Sequence, residues 1–139
     1  MTINEKEDQI IDTFEEYTDW MDKYAYLIEL GNNLAPLDPK SKVNQNLIEG
    51  CQSRVWLDAA YQNGIIHFTA ESDAVIVKGI VSLLIDVLSD HTPDEIINAD
   101  LYFIKKIGLQ EHLSPTRANG LLAMAKQMKL YALAFKAKA

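Results

Sequence analysis

The residue with the clearest chemical potential is the single cysteine, Cys51, in the run Gly50-Cys51-Gln52-Ser53. One thiol cannot form a disulfide within the chain, and it cannot supply a metal site built from several thiolates. A lone cysteine is often a small buried hydrophobic residue. Three features favour a reactive thiol instead: a predicted loop end presents it, Gly50 leaves the sulfur unshielded, and Gln52 and Ser53 offer donors for a thiolate or an attached anionic sulfur.

Groups that would activate a nucleophilic cysteine are not identifiable in the sequence. The three histidines are scattered, and no two have a spacing that places both imidazoles on one helix face, so we expect no metal site. Neither a Gly-rich phosphate loop nor a Gly-x-Ser-x-Gly turn occurs. Without an identifiable general base, Cys51 suits a covalent carrier better than a hydrolase.

Length and composition favour one globular domain over residues 1–139. Hydrophobic residues make up 48% of the chain and charged residues 24%, which is typical of a folded protein with one core. The formal net charge of -7 argues against nucleic acid as a partner, because the chain would repel phosphates. No apolar run reaches the roughly 20 residues of a membrane span, and the first residues lack the features of a signal peptide. We therefore expect no membrane partner and a cytoplasmic location.

The charges are distributed unevenly along the chain. Residues 1–30 contain nine acids and two bases, whereas residues 105–139 contain seven bases and one acid. The simplest interpretation is a set of solvated helix faces, with lysines near the end of a last helix complementing its dipole. The alternative is that one end of the molecule steers a charged partner protein.

The N-terminal third predicts two helices and a long loop. Apolar residues recur at helical spacing over residues 5–17, which indicates a first amphipathic helix. Thr18 or Asp19 can cap a second helix, and Gly31 stands where a C-terminal glycine belongs. Residues 32–50 contain two prolines and many polar residues, and they predict a long surface loop of a kind that is often functional.

A β-hairpin is the strongest strand signal. Apolar and polar residues alternate over residues 54–62 and again over 66–70, and Asn63-Gly64 between them is typical of a type I′ turn. A hairpin alone is marginal in water, so one of its faces must pack on helices. A third strand cannot be identified.

The remaining sequence predicts helices. Ser72 or Asp73 is expected to cap a helix that is apolar on nearly all sides and therefore central, and Gly79 within it suggests close packing against another backbone. A capping box starts a short helix at Thr92, another helix is expected from about Asp100, and the last begins at Ser114-Pro115. The fold class is therefore α+β, a small antiparallel sheet built on a β-hairpin and packed against several helices.

Several segments resemble the family of SufE-like sulfur acceptors, also called cysteine desulfuration proteins. The most specific is residues 46–56, NLIEGCQSRVW, which resembles the family's cysteine segment. The other matching segments are WMDKY at 20–24, LIELG at 27–31, SDAVIVKG at 72–79 and LSPTRANGL at 113–121. Within the first of these, Lys23 stands where many members have arginine, which affects only a local ion pair.

The resemblance implies a defined activity. Members of the family accept sulfane sulfur from a cysteine desulfurase that uses pyridoxal phosphate, stimulate its turnover, and pass the sulfur to an iron–sulfur assembly scaffold. Cys51 is then the acceptor and carries a persulfide, formed by thiolate attack on a sulfur–sulfur bond as in thiol–disulfide exchange. The chain itself would need no cofactor, and it would act as a covalent sulfur-transfer partner rather than as an independent enzyme.

The resemblance also suggests residues around the cysteine. Asp73 and Arg117 stand at family-like helix starts, and with Arg54 they are expected near the cysteine loop or on the partner surface. Each could instead be an ordinary cap or surface charge. We further expect Cys51 to lie turned inward at rest, and to react slowly until a desulfurase docks. The apolar neighbours expected to shield it are Leu47, Ile48, Val55 and Trp56.

Two other classes of function stay open from the sequence. One is a redox adaptor that forms mixed disulfides through the same thiol. The other is a non-covalent interaction module in which Cys51 is structural. The sequence identifies neither the desulfurase nor the downstream acceptor, and it leaves a homodimer open.

Overall fold

A computed structural model describes residues 1–49 and 53–138. These residues form helices around one two-stranded antiparallel sheet, which confirms the predicted α+β class. Short 3-10 turns lie at Pro39–Ser41, Asn44–Asn46 and Gln110–His112. The α-helices are α1 (Ile3–Glu15), α2 (Trp20–Asn32), α3 (Val75–Leu88), α4 (Pro93–Ile97), α5 (Phe103–Lys106) and α6 (Pro115–Lys138), and the strands are β1 (Val55–Gln62) and β2 (Ile65–Ser72).

The predicted hairpin is confirmed together with its turn. The strands pair in register from Val55 opposite Ser72 to the residues beside the turn. Asn63 and Gly64 have φ values of 54° and 82°, the two left-handed positions that a type I′ turn requires. Alternate residues of β2 are buried in the core, and α3 packs against this strand. The ribbon is therefore stabilised by helices on one face, as a two-stranded sheet must be.

Helices α2 and α3 cross with their backbones nearly in contact. A Cβ added to Gly79 would lie 2.1 Å from the carbonyl oxygen of Leu27, which confirms the predicted close packing at Gly79. The role predicted for Gly31 is wrong, because α2 continues through it to Asn32. A Cβ on Gly31 would lie 2.8 Å from the amide nitrogen of Gly79, so this glycine also serves the crossing.

The observed helix boundaries differ from the predicted ones for local reasons. α1 begins earlier than predicted because Thr2 and Glu5 form a capping box, and α2 is capped by Asp19 as predicted. The helix predicted from about Asp100 to near Gly108 is the shorter α5, which begins only at Phe103 because Leu101 has a φ of 55° and cannot belong to a right-handed helix. The capping box at Thr92 and the start of the last helix are confirmed.

The last helix, α6, is the longest and packs across α4 and α3. It buries one stripe of side chains, yet its remaining circumference is not uniformly polar. In the part of the chain that the structure describes, neither α6 nor another helix is long and apolar enough to cross a membrane. The buried stripe of α6 comprises Leu121, Met124, Ala125, Met128 and Ala132.

Candidate functional site

Residues 49–54, named here the cysteine segment, connect the long loop to β1. The Ile48 amide donates a hydrogen bond of 2.9 Å to the Val55 carbonyl, and Leu47 forms an isolated antiparallel bridge with Trp56. Ile48, Val55 and Trp56 are buried, so the base of the segment is fixed in the core. Three predicted site residues, Gly50, Cys51 and Gln52, lie outside the described residues. The described geometry is therefore that of the two flanks.

The flank after the cysteine is held by the start of α3. The Asp73 carboxylate accepts a hydrogen bond of 3.1 Å from the Arg54 amide, and the Asp73 amide donates one of 3.3 Å to the Arg54 carbonyl. The Ser72 hydroxyl donates to that same carbonyl at 2.8 Å. The prediction that Ser72 or Asp73 caps the helix is therefore wrong, because Ala74 occupies the N-cap position without a side-chain bond. We name this set of contacts the Asp73 clasp.

A cavity of about 310 Å³ brings Ser53 and Arg117 together. Two further hydroxyls, from Ser114 and Thr116, line it, and the Ser114 hydroxyl accepts a hydrogen bond from the Arg117 amide at the start of α6. A guanidinium group beside several hydroxyls favours an anionic group. The structure thus places two predicted site residues, distant in sequence, in the wall of one cavity. We call it the Arg117 cavity.

A second depression, of about 590 Å³, lies beside the residues that lead into the segment. One wall is formed by residues 45–49 and the other by α6, including Lys126, Leu130 and Tyr131. We name it the Lys126 groove. The helix α6 therefore borders the cysteine segment at both flanks, which the sequence did not predict for Lys126 or Leu130. The available signal was the lack of any acidic residue in this long helix.

The loop before the cysteine segment is fastened to the hairpin. The Lys42 ammonium lies 2.8 Å from a Glu71 carboxylate oxygen and 4.7 Å from the ring centroid of Trp56. The hydrogen bond from Lys42 lowers the pKa of Glu71 below its ordinary value. Ser41 donates a hydrogen bond of 2.7 Å to Asp58 in β1. The predicted long loop is thus present, with its second half anchored across the strands.

The histidines occupy separate, local positions. His67 is exposed on β2, and its Nδ1 lies 2.8 Å from Asp90. His112 stacks on Trp20 with ring centroids 3.9 Å apart. Within residues 1–49 and 53–138, no three His, Cys, Asp or Glu side chains gather closely enough to hold a metal ion. Arg54 is exposed beside the clasp, and its predicted contact with a partner stays a prediction.

A family model and a sequence relative indicate the same family, and a solved structure shares the fold. The family model described as SufE, an Fe-S metabolism associated domain, matches residues 8–132. An uncharacterized SufE-like protein of Rhizobium meliloti is 43% identical over 129 residues, covering 88% of this chain and 91% of the relative. The solution structure of a hypothetical protein from Thermus thermophilus is similar with a TM-score of 0.75. That likeness covers 91% of this chain and 93% of the other at 22% identity, and it supports the fold alone.

Proposed function

The chain belongs to the SufE family of Fe-S metabolism associated domains, and we propose that it is the sulfur acceptor and activator of a cysteine desulfurase. Cys51 carries the sulfur as a persulfide and delivers it to an iron–sulfur scaffold. The carrying observation is that the one thiol of the sequence stands inside the family-matched region, between two flanks that the fold fixes independently.

The transfer step needs no external oxidant or reductant. The Cys51 thiolate attacks the terminal sulfur of the donor's cysteine persulfide and forms a new sulfur–sulfur bond. The bond between that sulfur and the donor cysteine breaks, and its electron pair leaves on the donor sulfur. The proton lost from Cys51 balances the proton taken up by the released donor thiolate. The transferred atom keeps its sulfane oxidation state throughout.

The described flanks suggest how the protein supports this step. The Ile48–Val55 hydrogen bond and the Asp73 clasp fix where the cysteine segment leaves and re-enters the core. A persulfide is anionic when deprotonated, and the Arg117 cavity is lined by one arginine and three hydroxyl-bearing residues, which are types that would hold such a charge. Arg117 is therefore proposed to stabilise the loaded sulfur, and Asp73 to position the segment that bears it.

The partners follow from this proposal. The donor is a desulfurase that uses pyridoxal phosphate, and the receiver is an iron–sulfur scaffold complex. The pyridoxal chemistry belongs to the donor, so this chain's own contribution is to accept and pass on a sulfur atom through its thiol. A homodimer and a cytoplasmic location stay predictions from the sequence.

Desulfurase turnover tests the proposal. A purified cysteine desulfurase of the same organism is assayed for sulfide release from cysteine with and without the protein. Wild type is expected to stimulate turnover, whereas Cys51→Ser should fold normally and fail to stimulate. Full stimulation by the serine variant would assign the chain to a non-covalent module. An intermolecular disulfide on Cys51 without sulfur transfer would assign it to a redox adaptor.

A further inference from the structure

Helix α6 exposes a row of leucines toward solvent. Leu122, Leu130 and Leu133 are 48%, 44% and 50% exposed, although leucine side chains are usually buried. With 3.6 residues per turn, these three and Lys126 fall within about 80° of the helix circumference. They extend along about 16 Å of the helix axis, or three turns. We name these four residues the α6 outer face.

The charged side chains of helix α6 are all basic. α6 contains five basic residues and no acid, in a chain whose net charge is -7. Lys136 is paired with Asp94 at 2.7 Å, and Lys129 donates to the Ala99 carbonyl. Among the residues that the structure describes, Lys126 forms no ion pair, so its charge is available to a partner.

The outer face is continuous with the candidate site. Lys126 and Leu130 also form a wall of the Lys126 groove, opposite residues 45–49 that lead into the cysteine segment. A protein that delivers sulfur to Cys51 must approach that segment closely enough for bond exchange. Any such protein would therefore reach the border of the outer face.

We propose that the α6 outer face docks an acidic amphipathic helix or ridge of the sulfur donor, the cysteine desulfurase. The leucines supply apolar burial, and Lys126 selects a carboxylate-bearing partner surface. A few side chains that are fully desolvated at the centre of an interface carry most of its affinity, so the leucines should dominate the binding energy. The inference rests on the proposed function, because it assigns the docking surface of that same transfer.

Matched substitutions on two exposed helices test this docking. Leu130→Glu combined with Leu133→Glu removes apolar area and adds the charge that an acidic partner repels, and glutamate keeps helix propensity. Met21→Glu on α2, where the native residue is 81% exposed, is the control. Calorimetric titration against the desulfurase should show Kd raised about tenfold or more for the double variant and within about twofold of wild type for the control. Thermal melts establish that both variants are folded.

Charge-reversal variants separate the contribution of Lys126 to binding from that of the leucines. Lys126→Glu should weaken binding at low salt, and the loss should shrink at high salt because exposed charges are screened. Lys106→Glu, an exposed position on α5, is the control of equal charge change. An equal effect of both lysine variants would attribute the change to net charge and overturn the assignment of Lys126.

The outcomes distinguish this inference from the proposed function. At saturating desulfurase, the double variant should still load sulfur on Cys51, because docking and not chemistry is impaired. If wild type never loads sulfur, the proposed function fails. If wild type loads sulfur and the double variant binds the desulfurase like wild type, the docking inference fails. Loss of scaffold binding or self-association alone would assign the face to that other partner and also overturn the inference.

Discussion

The crossing of α2 and α3 and the base of the cysteine segment fix the chain in different ways. At the crossing, the Gly79 position faces the Leu27 backbone with no room for one further carbon atom. At the base, Ile48 and Val55 are joined by a backbone hydrogen bond, and the Asp73 clasp holds the following residues. Steric exclusion between two backbones defines the first region, whereas buried side chains at Ile48 and Val55 and a few separate polar contacts define the second.

This difference has a functional consequence. A close backbone crossing tolerates almost no displacement, because interiors are packed at crystal density. Hydrogen bonds that contribute about 1 kcal/mol each can exchange singly with a partner or with water. The Arg117 cavity and the Lys126 groove also leave open volume at both flanks. The core thus serves as a fixed support for the segment that, in the proposed function, meets both the sulfur donor and the scaffold.

The largest effect on stability is expected from a charge placed in the core, beside the crossing of α2 and α3. Ile80 is 1% exposed in α3, and Ile80→Asp would bury an unpaired carboxylate. We expect no cooperative thermal unfolding of this variant by circular dichroism. Val75→Asp, at a 51% exposed position in the first turn of the same helix, is the matched control and should melt near wild type. A cooperative melt of Ile80→Asp near the wild-type temperature would contradict the central position of α3.

The crossing itself can be probed with one methyl group. Gly79→Ala forces α2 and α3 apart and is expected to lower the free energy of unfolding by about 3 kcal/mol or more. Gly64→Ala is the control, because its Cβ would meet nothing within 4 Å and only the φ of 82° opposes it. That strain costs about 1 kcal/mol. Denaturant titrations of both variants measure the difference, and equal losses would show that the contact at Gly79 is not limiting.

Substitutions at the base of the cysteine segment should change stability less than those in the core, and should change activity more. Asp73→Ala opens the clasp and should lower the free energy of unfolding by only about 1 kcal/mol, while Asp73→Asn keeps an acceptor for the Arg54 amide and should change it less. Charge reversal, Asp73→Lys, should change desulfurase affinity or activation with the fold intact. Wild-type titration curves for the reversal would remove Asp73 from the partner surface.

The smallest effect concerns a carboxyl group buried in the core region. Glu7 is fully buried, its Oε1 accepts a hydrogen bond from the Phe103 amide, and its Oε2 has no partner within the described residues. Burial raises the pKa of Glu7 above its ordinary value, and the hydrogen bond from the Phe103 amide is the main contact that opposes the shift. The unfolded chain then ionises at lower pH than the native one. Native stability should fall as pH rises from the ordinary carboxyl pKa through the raised one.

Glu7→Gln isolates this effect, because glutamine keeps the acceptor and cannot ionise. The stability of the variant relative to wild type should increase between about pH 4 and pH 7, as measured by urea unfolding. The opposite slope would mean that the ionised Glu7 is stabilised in the fold, with the Phe103 amide as its main partner.

Sequence periodicity predicted the core more completely than the site. The hairpin turn and the apolar helix around Ile80 follow from local patterns, because turn chemistry and burial leave regular signals. A close contact could be predicted at Gly79, because glycine inside a helix is unfavourable unless another backbone lies close to it. Its partner, the backbone of Leu27, could not be predicted, because helix crossings depend on tertiary geometry.

The contacts around the cysteine segment could not be predicted from local sequence patterns. Asp73 has the sequence signature of a helix cap, and only the fold shows its carboxylate turned to the Arg54 amide. The shared cavity of Ser53 and Arg117 joins residues 64 positions apart in the chain, so no spacing rule could anticipate it. Cys51, Gly50 and Gln52 were selected from sequence alone, and the inward resting position of Cys51 stays a prediction.

The central claim is that Cys51 receives a sulfur atom. The most direct test incubates the protein with a cysteine desulfurase and cysteine, separates it without reductant, and measures its intact mass and the modified peptide. Wild type should gain the mass of one sulfur atom on Cys51, removable by a small thiol, and Cys51→Ser should gain none. No added sulfur on wild type in the presence of an active desulfurase, or the same gain in the serine variant, would contradict the account.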